Sequence, residues 1–262
     1  MSVIDAVPAR PSASVILVRP GLDGPEMFMV RRHELSGFAN NAYVFPGGSI
    51  IASDTRSESL ALSRSFGPHD AFQILSRRGD QAPGDSSVCL SYWIAAAREL
   101  LEEGGVLVHD DPTSLTAAEI AQARAETLAD GARFATAIQA LGVQLSLSDL
   151  IYFSHWRTPV QSPKRYDTRF YIAAMPAGQE ASHCGIETTD AVWITPGRAL
   201  ALSDAGELRL VYATRAHVER LVPYKTVEAL LDFSTHKTIR CVDPIINPDR
   251  SIFIDPDVLA SW

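Results

Sequence analysis

Residues 95–108 read AAARELLEEGGVLV and place Glu99, Glu102 and Glu103 at i, i+3 and i+4. On a helical wheel Leu90, Ile94, Ala97 and Leu101 form one stripe, flanked by Trp93 and Leu100, and the three glutamates fall on the opposite side. Grouping like charges this way costs roughly 0.2–0.5 kcal/mol per i, i+4 pair. Acidic residues in a last turn also meet the negative end of the helix dipole, at roughly 0.3–1 kcal/mol each. Gly104 and Gly105 supply the left-handed residue that ends the helix there. Arg98 offsets part of the repulsion by pairing with Glu102, and a divalent cation would offset far more. Hard oxygen donors at this spacing suit Mg²⁺ or Mn²⁺. Taken alone, the same string also fits a solvated acidic face.

Such a turn needs a scaffold. SASVILVRP and EMFMVRR read as two strands joined by PGLDGP. NNAYVFPGGSI is a short strand running into a Pro-Gly-Gly turn, and KRYDTRFYIAAMP alternates as a strand does. DAVWITPGRAL is a strand followed by a helix that starts on proline, and SIFIDP is a last strand. Residues 88–103 carry a helical pattern, as do Ser114–Leu141, opening on the cap-like TSLTAAE, and Glu207–Leu231, with a break at Pro223. Residues 55–87 read as an insertion around one helix, HDAFQILSRR. Strands and helices mix without regular βαβ alternation, so the expectation is a layered α/β or α+β fold.

At 262 residues and 46% hydrophobic, the chain can bury a full core. The formal net charge of −8 argues against nucleic acid as a partner. An anionic substrate would need local positive charge, which a bound metal supplies. Cys89, Cys184 and Cys241 are far apart and odd in number, so they read as reduced thiols of a cytoplasmic protein. The N-terminal apolar stretch is too short for a signal peptide, no stretch reaches the ~20 apolar residues of a membrane span, and LASW is not a peroxisomal address.

FPGG at 45–48 and RELLEEGGV at 98–106 together resemble a split Nudix box, G-x5-E-x7-R-E-U-x-E-E-x-G-U with U aliphatic. The second half matches at Arg98, Glu99, Leu100, Glu102, Glu103, Gly105 and Val106. The first half begins at Gly48, with Asp54 where the pattern has glutamate. Arg98 then follows Asp54 by 44 residues rather than eight, an insertion of 36. The chain is similar, over roughly residues 12–255, to the interrupted-box acyl-CoA diphosphatase branch of the Nudix superfamily and its bacterial relatives. GFANNAYVFPGG, HWRTP at 155–159 and RYDTRFYIA at 165–173 share in that likeness.

The resemblance implies an α/β Nudix fold, with a mixed sheet sandwiched between helices in a single domain. Insertions at 55–87 and 112–146 would lie outside the core sheet, covering the site or building a homodimer interface. It implies that Glu99, Glu102 and Glu103 are metal ligands, joined by the carbonyl of Gly47, and that Arg98 orients them with support from Asp54. The general base is a box glutamate, Glu99, Glu102 or Glu103, or an acid from a later loop, for which Glu187 and Glu180 are the candidates. Arg32, Arg31, Lys164, Arg165 and Arg169 are candidates to meet phosphate, and Trp156, beside His155, to stack on adenine. The implied reaction is hydrolysis of the P–O–P bond of CoA or acyl-CoA to 3′,5′-ADP and (acyl-)phosphopantetheine. Two alternatives stand beside it: a diphosphatase for ADP-ribose, NADH or a related nucleoside diphosphate, and a non-catalytic ligand-sensing module of the same fold.

Overall fold

The first two strands form where β-branched and long apolar residues run together, because both faces of β1 are covered. In the computed structural model, which describes residues 7–34, 39–77, 82–110 and 115–261, Ala13–Val18 are all buried. Arg78 and Ser114, at the edges of two expected helices, and the first six residues lie outside the described residues. β1 (Arg10–Gly21) turns back into β2 (Gly24–Arg32). The other strands are β3 (Tyr43–Val44), β4 (Gly47–Ser49), β5 (Ile151–Arg157), β6 (Tyr166–Ala174), β7 (Thr188–Ile194), β8 (Cys241–Val242), β9 (Ile245–Ile246) and β10 (Ile252–Phe253). The sheet runs β3-β2-β1-β6-β5-β8, with β4 added to β1 and β7 to β2. The β1–β6 and β5–β8 pairs are parallel and the rest antiparallel, so the sheet is mixed.

Helices cover both faces. They are α1 (Ser57–Leu60), α2 (Pro68–Arg77), α3 (Ser86–Gly104), α4 (Ala117–Ala129), α5 (Phe134–Leu141), α6 (Pro196–Asp204), α7 (Tyr212–Leu221), α8 (Val227–His236) and α9 (Pro256–Ser261). One core packs α3 against the face of Val15, Leu17, Phe28 and Tyr171. The other packs α6, α7 and α8 against Ile16, Met29, Phe170 and Ile172. Alternate residues of β1 therefore feed opposite cores, which fixes its register. Trp93 anchors α3 by edge contact with Tyr171, at 4.8 Å between centroids, and by an indole hydrogen bond to the carbonyl of Leu150.

α3 spans the expected stretch. Asp85 caps its start by accepting from the Val88 N–H, and Gly105, at φ 67°, ends it. It is not an exposed amphipathic helix, however. Glu99, at 8% exposure, and Glu103, at 2%, are buried along with the apolar stripe. β4 lies against both, with the Gly47 N–H donating to Glu103 and Gly48 close on Glu99. Leu62, Phe66 and Leu75 from the first insertion and Ile120, Phe134 and Ile138 from the second join the α3 core. The acidic turn is thus walled by protein at Glu99 and Glu103, while Glu102 is half-buried.

Local expectations needed four adjustments. The Pro-Gly-Gly turn is instead the start of β4, because Gly47 and Gly48 take up pairing with Ser14 and Ala13. The Ala-rich helix divides at Asp130, whose side chain accepts from the Ala132 N–H and starts a 3₁₀ turn before α5. The helix expected from Glu207 begins only at Tyr212, and the expected break near Pro223 separates α7 from α8. The last strand, β10, pairs with β9 in a separate hairpin rather than joining the sheet.

Candidate active site

Arg98 organises the acidic turn. Its Nε donates to Asp54 Oδ1 at 3.0 Å and its Nη2 to Asp54 Oδ2 at 3.1 Å. Nη1 donates to Glu99 Oε1 and to Glu102 Oε2, both at 2.8 Å, and Nη2 also reaches the Ser49 carbonyl at 2.9 Å. The aspartate that replaces the expected glutamate reaches Arg98 because the 3₁₀ turn Ala52–Thr55 brings its backbone in close, and the Ile51 N–H holds Asp54 Oδ2 at 2.9 Å.

β4 closes on the same turn. The Gly47 N–H donates to Glu103 Oε2 at 2.9 Å. A Cβ at Gly48 would lie 2.3 Å from Glu99 Oε1, so only glycine lets the strand come this close. The loop and the box helix therefore meet, although the intervening insertion separates them widely in sequence. Among the described residues no three His, Cys, Asp or Glu side chains already converge as a coordination sphere. Arg98 holds one oxygen each of Glu99 and Glu102, and Gly47 holds one of Glu103. Glu103 Oε1 is buried with no hydrogen-bond partner among the described residues.

Burial pushes the carboxyls up. Glu102 rises to about 8, through desolvation first and the Glu99 charge second, against the pull of Arg98. Glu103 rises well above the usual carboxylate range, from burial and then from Glu99, opposed by Arg32 and by the Gly47 N–H. Glu99 is raised by burial despite its bond to Arg98. Desolvation alone would lower Arg98, but Glu99, Asp54 and Glu102 outweigh it and hold the guanidinium charged. Acidic groups exceed cations here, which is the electrostatic condition for taking up a divalent ion.

The turn opens on a cavity of about 710 Å³. Arg98, Glu99, Glu102, Glu103, Gly47, Gly48, Arg32 and Glu187 line it, together with Ser12, Thr168, Trp156 and Tyr212.

Residues 10–221 match the family described as the NUDT19 Nudix domain. The chain belongs to this Nudix family. Two relatives named acyl-coenzyme A diphosphatase NUDT19 align with most of it. The one from Xenopus laevis is 25% identical, covering 82% of this chain and 64% of its own length. The one from Gallus gallus is 26% identical, covering 88% of this chain and 72% of its own. The chain thus spans just under two thirds of the Xenopus relative. A crystal structure of a NUDIX hydrolase from Alicyclobacillus acidocaldarius superposes with a TM-score of 0.67 at 25% identity, covering 86% of this chain and 96% of that one.

Within this Nudix site, Glu187 sits on the loop before β7 and its charge reaches Glu99 and Glu103, whereas Glu180 does not line the cavity. Arg32 lines the cavity with its buried Nε unpaired among the described residues. Arg31 and Arg165 are corrections. Arg31 donates to Thr189 Oγ1, and Arg165 is spent on the carbonyls of Thr158 and Val7, so neither lines this cavity. Lys164 and Arg169 are absent from its wall too, and Arg169 instead lies over the ring of Tyr92. His155 bonds Asp167 rather than facing the cavity. Trp156 does line it, but at 4% exposure it is packed beside His217 and Tyr212, which suits a wall better than a stacking platform.

Sequence reasoning missed Arg124. From α4 it donates to the carbonyls of Glu102 at 3.0 Å and Glu103 at 3.3 Å, and to Ser182 O at 2.8 Å. It satisfies the open end of the box helix and ties it to the segment that leads to Glu187. No local spacing announces this, because the partner Ser182 is 58 residues away.

Proposed function

We propose that the protein is a divalent-cation-dependent diphosphatase that cleaves the P–O–P bond of CoA and acyl-CoA, releasing 3′,5′-ADP and (acyl-)phosphopantetheine. One observation carries the reading: Glu103 and Glu99 meet Gly47 and Gly48, and Arg98 holds Glu102 beside Glu99, on the wall of a cavity large enough for such a ligand. The names of the Xenopus and Gallus relatives support the substrate class.

The residues fit a metal. The donors are hard oxygens, Glu103 Oε1 is buried and unpaired among the described residues, and glycine leaves room where a Cβ would collide. Glu99, Glu102 and Glu103 would hold Mg²⁺ or Mn²⁺. A cation bound there would neutralise phosphate oxygens and lower the pKa of water. Arg98 keeps Glu99 and Glu102 in place, and Asp54 keeps Arg98 in place. The Gly47 N–H aims Glu103. Arg32, facing the cavity, offers its guanidinium to the charge that builds on the departing phosphate. Glu187 takes the proton of the attacking water. We assign the protein to the cytoplasm, because its three cysteines are free thiols.

Substrate profiling with Mn²⁺ present tests the reading. We expect kcat/KM for a CoA species to exceed that for ADP-ribose and NADH by at least about tenfold, or ~1.4 kcal/mol of transition-state binding. A tenfold preference in the other direction overturns the CoA assignment. No metal-dependent hydrolysis of any of these compounds favours the non-catalytic module.

A further inference from the structure

Ser49, Ser12, Thr168 and Trp156 stand in one register row across β4, β1, β6 and β5, and all four line the cavity. At about 4.8 Å per strand, the row carries the cavity ~14 Å away from the glutamates. Along the way, Ser12 Oγ and Thr168 Oγ1, 2.7 Å apart, offer polar partners to an amide-bearing arm. Beyond Trp156 the wall changes its source and sets apolar residues beside the polar Arg157, Thr158 and Ser162. Pro244, Ile246 and Ile252 come from the segment after β8, outside residues 10–221 of the family match, and face the cavity with Val211 and Tyr212.

This wall is built rather than loosely laid down. Ile246 and Ile252 are cross-strand partners in the β9–β10 hairpin, so their side chains share a face. Gln161 Nε2 donates to the Ile246 carbonyl at 3.2 Å, and Arg157 Nη1 donates to Asp243 Oδ2 at 3.1 Å. The Arg157 charge is balanced by Asp243 and Asp167. Ile245 and Phe253, paired on the other face of the hairpin, remain 48% exposed.

We propose that this end of the cavity seats the acyl group of an acyl-CoA thioester, so that the segment 244–252 selects acylated over free CoA. The inference rests on the diphosphatase reading above. An order of diphosphate, amide-bearing arm and acyl chain in the ligand matches the order of carboxylates, hydroxyls and isoleucines along the cavity.

A chain-length series on the full-length protein with Mn²⁺ tests it. Each methylene fully buried is worth about fourfold in affinity. We expect kcat/KM for octanoyl-CoA to exceed that for CoA by at least about tenfold, and Ile246→Asp to bring the ratio down toward one. A flat series in the unaltered protein overturns the proposal, and that arm does not depend on any variant folding. So does a ratio unmoved by Ile246→Asp, because equal losses for CoA and octanoyl-CoA would put the shared adenosine at this wall. Turnover of ADP-ribose but of no CoA species defeats the diphosphatase reading itself, and the acyl assignment falls with it.

Discussion

Arg98 is the residue on which the site turns. Its guanidinium is 3% exposed and serves Asp54, Glu99 and Glu102 at once. Removing it leaves buried carboxylates facing one another without a counter-charge. Arg98→Met should therefore lower unfolding free energy by about 3–5 kcal/mol, measured by guanidinium denaturation at pH 7. A loss below about 1 kcal/mol, the range of an exposed pair, would show that the network is not the support described. Much of this was legible in the sequence, because i, i+3 and i+4 are short-range relations that any α-helix imposes. Asp54 was legible only through its place in the interrupted pattern. Arg31 and Arg165 misled, because a positive charge near a motif does not reveal whether its donors are already taken by Thr189 or by backbone carbonyls.

Among the elements, α7 carries a titratable group that ties stability to pH. His217 is fully buried, with its ring 4.1 Å from Phe170, and hydrogen-bonds Ser154 Oγ and the Ala213 carbonyl. Burial first, and the nearby Lys237 charge, push it down to about 3, although the Ala213 bond acts the other way. In the unfolded chain the imidazole takes a proton below about 6.5; in the folded chain it does so only below about 3. Acid therefore favours the unfolded state. This stabilisation is complete above about 6.5 and declines by up to ~1.4 kcal/mol per pH unit as pH falls toward 3. Urea midpoints between pH 7 and 4.5 should drop less steeply in His217→Gln than in the parent; identical slopes would contradict the assignment. Long elements with apolar alternation or a 3.6 period, such as β1, β6 and α3, were readable in advance. β4 was not, because two glycines carry no strand propensity and gain extended structure only by pairing with β1.

At the scale of the whole molecule, the cavity gathers residues that no local pattern joins. Its wall takes Ser12 from β1, Glu103 from α3, Trp156 from β5, Glu187 from the loop before β7 and Ile252 from β10. The mixed sheet between helices followed from the family resemblance. That both insertions would complete the core around α3 did not, since their apolar faces could equally have met a partner molecule. Burial of the acidic turn follows from the close approach of β4 to α3. It raises the carboxyl groups and sharpens the demand for a cation. The central claim is that this demand is met between Glu99, Glu102, Glu103 and the Gly47–Gly48 strand. Anomalous diffraction from crystals soaked in Mn²⁺ tests it most directly. The account predicts a manganese peak bounded by those three carboxylates in the unaltered protein and weakened or lost in Glu102→Gln. Manganese bound elsewhere in the crystal, with none beside these side chains, would contradict it.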